Sequence, residues 1–486
     1  MKRLVLALLM LLPLMAMALP ATPTTGTAGP KNIAAKKPAY KITFQVDGST
    51  DSMLLLCFYY AQNERIQDTA FNNGKGRFVF EGDEVLKPGL YFFTNNKNRF
   101  AEFVIYHEKP FFQFHTDDRN WTMNMKVKGS KQNEIYYNYQ RASESMYREL
   151  QEAKPSLDSA ALADFSRRQH LRLDSLKLKI IDEHPEAMFS KMMLAVKNVD
   201  EEVPVRHPDG TEMTRQERYE WFMHHYFDYI PVDDDFIVRT PKQVFYNRVN
   251  DYVDKYMRGL PPEMICPLLD SLIDRSEPAP EVYRWLIFTM TNRYLQSTIM
   301  VYDEVYVHLV MRYFATGKAS WLSPSTIDEQ IERATKWERL LVSREAPELV
   351  LFDTNHHAHS LHYMRGDYTL LLFWSPSCGH CREIIPEVYK VFAEYTDSLN
   401  MSAFAILSEP DDATVVKWKK FLKDHHMDSP KWVNLNGSEA NVDWREVYDI
   451  TTTPQIYLID NKTHKFLAKK LNAQILRNIC ENLTKQ

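Results

Sequence analysis

Leu370-Leu371-Leu372-Phe373-Trp374-Ser375-Pro376-Ser377-Cys378-Gly379-His380-Cys381-Arg382 decides how the last third of the chain folds. Five large apolar residues in succession suit a strand buried on both faces. Ser375-Pro376-Ser377 breaks the run, and over residues 382–395 the apolar spacing becomes helical. Two cysteines separated by two residues therefore stand where a strand ends and a helix begins. At a helix start, unpaired N–H groups and the helix dipole favour a thiolate, here at Cys378. A protonated His380 would add positive charge beside it. The spacing lets Cys381 reach back and close a disulfide, so the pair can cycle between dithiol and disulfide. A zinc half-site would need a second pair of ligands. His425-His426 or His356, His357, His359 and His362 could supply imidazoles, but the latter four lie in a turn-rich segment where exposed histidines are ordinary. An inert structural disulfide would seldom occupy this junction. Redox cycling fits it best, and no metal is expected.

Working outward, residues 402–407, 455–460 and 465–470 read as strands, and 412–425 and 473–483 as helices. This alternation makes 345–486 an α/β domain. Residues 131–344 are read as an all-α domain, with helical spacing at 134–153, 156–184, 215–229, 242–257, 280–296, 300–316 and 325–343. Within it, Asp233-Asp234-Asp235 beside Pro231 marks a loop rather than a cation site, and Tyr136, Tyr137 and Tyr139 suit helical core packing better than a binding face. Residues 39–130 carry short aromatic runs at 40–46, 53–60, 77–80, 89–93, 101–106 and 111–115. Corners at Asp47-Gly48 and Lys87-Pro88-Gly89 complete the pattern of an antiparallel β-sandwich. No paired-carboxylate, Ser-His-Asp or phosphate-loop pattern occurs in these front regions. Cys57, Cys266 and Cys480 read as buried, unreactive thiols.

Composition narrows the function class. The 486 residues hold 59 Lys and Arg against 64 Asp and Glu, a net charge of −5, which excludes a general electrostatic grip on nucleic acid. Five cysteines in such a length exclude a disulfide-stapled scaffold. Lys2 and Arg3, the apolar run from Leu4 to Met15 and Ala16-Met17-Ala18 read as an export signal over residues 1–18, followed by a tether at 19–38. That run is shorter than the roughly 20 residues a membrane span needs.

From about residue 346 the chain resembles the TlpA/ResA-like thioredoxin-fold domains of bacterial cell envelopes. Phe373 to Pro386 carries the likeness: aromatic strand end, Cys-x-x-Cys, a basic residue, and a proline five residues after Cys381. The second landmark is Thr453-Pro454, heading the strand at 455–460. The resemblance implies a cis peptide at Pro454 lying against the cysteine pair, a Thr453 backbone offered to an extended substrate segment, and Trp374 packed beneath the motif. It implies Cys378 as attacking thiolate, Cys381 as resolving thiol and His380 as the tuner of Cys378. No cofactor is needed beyond a redox-active Cys378–Cys381 disulfide. Partners would be protein thiols and disulfides, with a membrane electron donor compatible and peripheral membrane contact open, in the periplasm or envelope of a bacterium. The front domains would present or select the substrate.

Departures accompany the likeness. Leu372 and Ile384 stand where relatives carry acids, Glu383 is one place early, and Ser377 replaces the usual tryptophan. These leave the proton acceptor for Cys381 unidentified. The Gly-His filling is that of protein disulfide isomerases, poised near about −180 mV against about −270 mV for thioredoxin, whereas the surroundings suggest a reductant. The direction of transfer stays open. A peroxiredoxin would want proline at position 371, where leucine stands. The rival to an enzyme is an envelope binding or scaffold protein with secondary redox activity.

Overall fold

Tyr40, Ile42, Phe44 and Val46 are buried while the residues between them face outward or lie half-covered, which is why this stretch forms a strand with one face on a core. The computed structural model describes residues 37–95, 100–353 and 355–485. The export signal and the tether up to residue 36 lie outside them. Strands β1 (Tyr40–Asp47), β2 (Met53–Tyr60), β3 (Asn63–Phe71), β4 (Arg77–Gly82), β5 (Gly89–Thr94), β6 (Phe100–Ile105), β7 (Gln113–Asp117) and β8 (Lys126–Lys128) form two four-stranded sheets. Their orders are β4-β1-β7-β8 and β3-β2-β5-β6. Aromatic rings fill the space between the sheets, with Phe93 stacked on Phe44 at 4.4 Å and on Phe103 at 4.7 Å. The sandwich departs from expectation in one pairing: β1 and β7 run parallel, while the other pairs are antiparallel.

Nine helices follow among the described residues: α1 (Lys131–Ala153), α2 (Ser159–Glu183), α3 (Met188–Ala195), α4 (Arg215–His225), α5 (Tyr246–Asp251), α6 (Pro262–Arg275), α7 (Pro280–Leu295), α8 (Asp303–Leu309) and α9 (Pro324–Arg339). The long helices expected at 242–257 and 300–316 are broken. A π turn follows α5 at Tyr252–Tyr256 and another follows α8 at Val310–Phe314. Tyr136 and Tyr137 are buried against the sandwich, their hydroxyls donating to the Glu102 carboxylate (2.6 Å) and the Glu102 carbonyl (2.8 Å). They form no exposed face. Asp234 accepts from Tyr106 (2.5 Å) and Asp235 from the Glu281 N–H at the start of α7 (2.8 Å), so two of the three successive aspartates anchor the chain.

The change from strands to helices near residue 130 is not a change of core. One apolar cluster runs from Tyr40 to Leu341 without a break. The Asn133 side chain of α1 accepts from the Val104 N–H (2.6 Å) and donates to the Val104 carbonyl (2.8 Å), taking the place of a neighbouring strand beside β6.

A second layer set begins at residue 350. Strands β9 (Val350–Asp353), β10 (Ala358–Ser360), β11 (Tyr368–Trp374), β12 (Met401–Leu407), β13 (Trp432–Ala440), β14 (Gln455–Asp460) and β15 (Lys465–Ala468) form one seven-stranded sheet, ordered β10-β9-β13-β12-β11-β14-β15. Helices α10 (Gly379–Tyr395), α11 (Asp412–Asp424), α12 (Trp444–Val447) and α13 (Ala473–Leu483) complete it. β11 pairs in parallel with β12 and antiparallel with β14, which places it inside the sheet. Its run of buried side chains follows from cover on both faces by separate apolar clusters. Gly366 turns the chain into β11 at φ +103, and a Cβ there would lie 2.2 Å from the Asn400 carbonyl oxygen. Gly366→Ala is expected to cost at least about 2 kcal/mol, read as a lower urea midpoint at unchanged slope.

The α/β part is fastened to the helices by polar contacts. Asp303, at the start of α8 and 1% exposed, receives Lys469 at 2.6 Å and Lys470 at 2.5 Å. Lys469 also donates to the Leu340 carbonyl (3.0 Å) and Lys470 to that of Ser297 (2.7 Å). Trp337 of α9 donates to Asp449 (2.6 Å), and Lys336 pairs with Glu446 (2.7 Å).

Candidate active site

β11 delivers Trp374 to the C-terminal end of the strand, and the next four residues turn the chain so that Cys378 becomes the N-cap of α10. As a cap its sulfur accepts the Cys381 N–H at 3.3 Å, one of the donors a helix start leaves unpaired. The Thr453-Pro454 peptide is cis. It sets the Thr453 carbonyl 3.3 Å from the Cys378 sulfur, where the thiol donates to it. The two sequence landmarks, 75 residues apart, thus meet at one sulfur.

The two cysteines differ in surroundings. Cys378 is half-buried and Cys381 fully buried. Burial opposes ionisation of Cys378, but hydrogen bonds from the side chain and N–H of Cys381, the Thr453 hydroxyl and the His380 N–H outweigh it and hold its pKa below the ordinary thiol value. Burial pushes Cys381 up to about 12, and its proximity to Cys378 adds to the rise. One accessible, acidified thiol above one buried, protonated thiol is the asymmetry that an attacking and a resolving cysteine require. Both are free thiols here, as are Cys57, Cys266 and Cys480. Burial raises those three to about 11, 12 and 11, which leaves them poor nucleophiles at neutral pH.

The His380 side chain is exposed, and its main-chain N–H is one of the hydrogen-bond donors that lower the Cys378 pKa. Trp374 lies fully buried in the same apolar cluster as Cys381, its ring 5.3 Å from that of Phe421. Leu372 is likewise buried, Ile384 half-buried and Glu383 exposed, so none brings a carboxylate beneath the pair.

Three residues that sequence reasoning gave no role brace the active-site turn. Ser375, fully buried, donates through its hydroxyl to Glu409 (2.7 Å), accepts the Ser377 N–H (3.1 Å) and offers its carbonyl to the Cys378 N–H (3.2 Å). Arg382 donates to the carbonyls of Pro376 (3.2 Å) and Ser377 (3.4 Å). The signal for Glu409 was present in outline. β11 and β12 are parallel neighbours with Trp374 opposite Leu407, so residues just past both ends share one crevice.

The histidines near residue 360 are engaged elsewhere. His357 and His359 lie 3.4 and 3.1 Å from Asp353, and His362 lies 3.4 Å from Glu348 and stacks on His464 at 4.2 Å. Among the described residues, no group of three or more His, Cys, Asp or Glu could hold a metal ion, and no helix is long and apolar enough to cross a membrane.

Comparison with known proteins agrees with this geometry. Residues 342–464 match the AhpC/TSA family, while residues 40–136 and 196–336 match two domains of unknown function, DUF4369 and DUF5106. Thiol-disulfide oxidoreductase ResA of Bacillus thuringiensis is 24% identical over 126 residues, 26% of this chain and 68% of the relative. Thiol-disulfide oxidoreductase YkuV of Bacillus subtilis is 28% identical over 110 residues, 21% of this chain and 74% of the relative. A solved thioredoxin-like protein from Bacteroides caccae aligns with 58% of this chain and 97% of its own at 18% identity and a TM-score of 0.46. The C-terminal part of the chain is therefore a thioredoxin-like domain of AhpC/TSA type, homologous to the thiol-disulfide oxidoreductases ResA and YkuV and carried behind two regions of unknown function.

Proposed function

We propose that the protein is an exported thiol-disulfide oxidoreductase acting on protein substrates through Cys378 and Cys381. The observation that carries this reading is the meeting of Cys378, the first turn of α10 and the Thr453 carbonyl at one half-buried sulfur. The Cys378 thiolate attacks one sulfur of a substrate disulfide. A mixed disulfide forms and the other substrate sulfur leaves as a thiolate that takes a proton from solvent. Cys381 then loses its proton, attacks the Cys378 sulfur and releases the second substrate thiol. Two electrons have moved from the cysteine pair to the substrate, and a dithiol donor of the envelope membrane restores the reduced pair. In the opposite direction the same steps oxidise a substrate dithiol. No bound cofactor takes part. Thr453 and Pro454 shape the groove, and Trp374 supports the motif from below. The positively charged, apolar N-terminus supports export to the bacterial envelope.

Cys381→Ser is expected to accumulate discrete mixed disulfides through Cys378 in the exporting host, seen as adducts on non-reducing gels that vanish with reductant. A scaffold role is favoured by the apolar residues Leu372 and Ile384, which leave Cys381 without a carboxylate beneath it. Absence of any adduct, with normal function of the double cysteine variant, would select that role instead.

A further inference from the structure

One concavity, about 720 Å³ beside β7 and β8, has its central charges already paired, Asp47 with His115 and Asp117 with Arg119, both at 2.7 Å. A second, of about 500 Å³, is different. It opens between the end of the β2–β3 hairpin and α7, with Trp285 buried and Phe288 61% exposed. Its size falls in the usual ligand-site range of about 300–1,000 Å³. Arg65 lies 4.5 Å from the Tyr60 ring centre and Arg284 5.6 Å from that of Trp321, so each guanidinium rests on an aromatic wall of the cleft. A third arginine, Arg293, is tied to Asp254 and Asn250.

Two features point to what fits there. Among the described residues no aspartate or glutamate lines the cleft, and no carboxylate pairs with Arg65 or Arg284. A guanidinium resting on a ring still offers its in-plane N–H groups to a carboxylate. The cleft also adjoins the outer edge of β3, which among the described residues pairs only with β2 and whose first four residues are exposed. Such an edge carries unpaired main-chain donors and acceptors that an extended polypeptide can satisfy.

We infer that this cleft docks an extended acidic segment of a partner polypeptide, whose carboxylates pair with Arg65 and Arg284 and whose apolar side chains lie on the aromatic walls. A polypeptide fits better than a small anion, because the strand edge beside the cationic walls recognises main chain. The site stands apart from the cysteine pair, and its occupancy is measured without thiol chemistry.

The test is fluorescence anisotropy of a fluorescein-labelled peptide of alternating glutamate and phenylalanine, titrated with the full chain. Saturable binding is expected. It should weaken at least about tenfold when glutamine replaces glutamate in the peptide, and by a similar factor in Arg65→Ala/Arg284→Ala. Higher salt should weaken it as well. Neither arginine belongs to the redox machinery, so disulfide exchange in that variant should match the parent. Should the double variant fail to fold, the glutamate–glutamine comparison on the parent chain decides alone. Absence of binding, equal affinity for the glutamine peptide, undiminished binding by a folded double variant, or displacement by glutarate as effective as by unlabelled peptide would each overturn the inference.

Discussion

Cys378→Ser is expected to lower the rate of disulfide exchange by at least about 10³-fold, or roughly 4 kcal/mol of barrier, because no second accessible thiolate can take its place. Cys57, Cys266, Cys381 and Cys480 are all buried, with pKa values raised. The sign of the pH dependence follows from the shifts. Cys378 ionises below the ordinary value of 9.0, so iodoacetamide should modify the reduced protein at this residue first. The rate should fall off only as pH drops through that lowered pKa. Cys381, buried and with its pKa raised, should be modified only at higher pH than Cys378. The same thiolate stabilises the folded, reduced chain. That contribution is full above the unfolded thiol's pKa and is lost as pH falls through the lowered folded one. Mass spectrometry of peptides alkylated across a pH series reads both sites together. An inflection at the ordinary thiol value, or modification of Cys381 before Cys378, would contradict the proposed roles.

Asp303→Asn is expected to destabilise the fold by about 3–5 kcal/mol, since it leaves Lys469 buried and without its counter-charge. Lys469 is only 5% exposed, and burial already holds its pKa below the ordinary lysine value despite the nearby carboxylate. Lys470 is more open, with 24% of its side chain exposed, and can turn toward water. Replacing both buried partners, as in Asp303→Leu/Lys469→Met, should therefore cost less than Asp303→Leu alone. Chemical denaturation followed by tryptophan fluorescence measures the difference. A single variant as stable as the parent would mean that this contact contributes nothing to joining the α/β part to the helices.

What the sequence revealed depended on how continuous the apolar signal was. The run Leu370–Trp374 could only be a covered strand, and the Cys-x-x-Cys after it and the Thr-Pro before the strand at 455–460 were readable as one constellation. β3 escaped because Asn63, Glu64, Arg65 and Ile66 are all exposed, which erases the alternation that marks a strand. β13 escaped because asparagines and a glycine interrupt it. The bracing of Ser375 by Glu409 joins residues 34 apart through the meeting of two strand ends, and that of Lys469 by Asp303 joins different layers of the molecule. Neither leaves a local pattern.

The apolar cluster shared from Tyr40 to Leu341 has a consequence for the ancestry of the front half. Residues 40–136 and 196–336 resemble two separately defined families, yet they enclose a common interior. A recombination event that moved either one alone onto another chain would deliver a fragment with a bare greasy flank, prone to aggregation. Inherited together as one module they keep that flank covered, and each expressed alone is expected to aggregate.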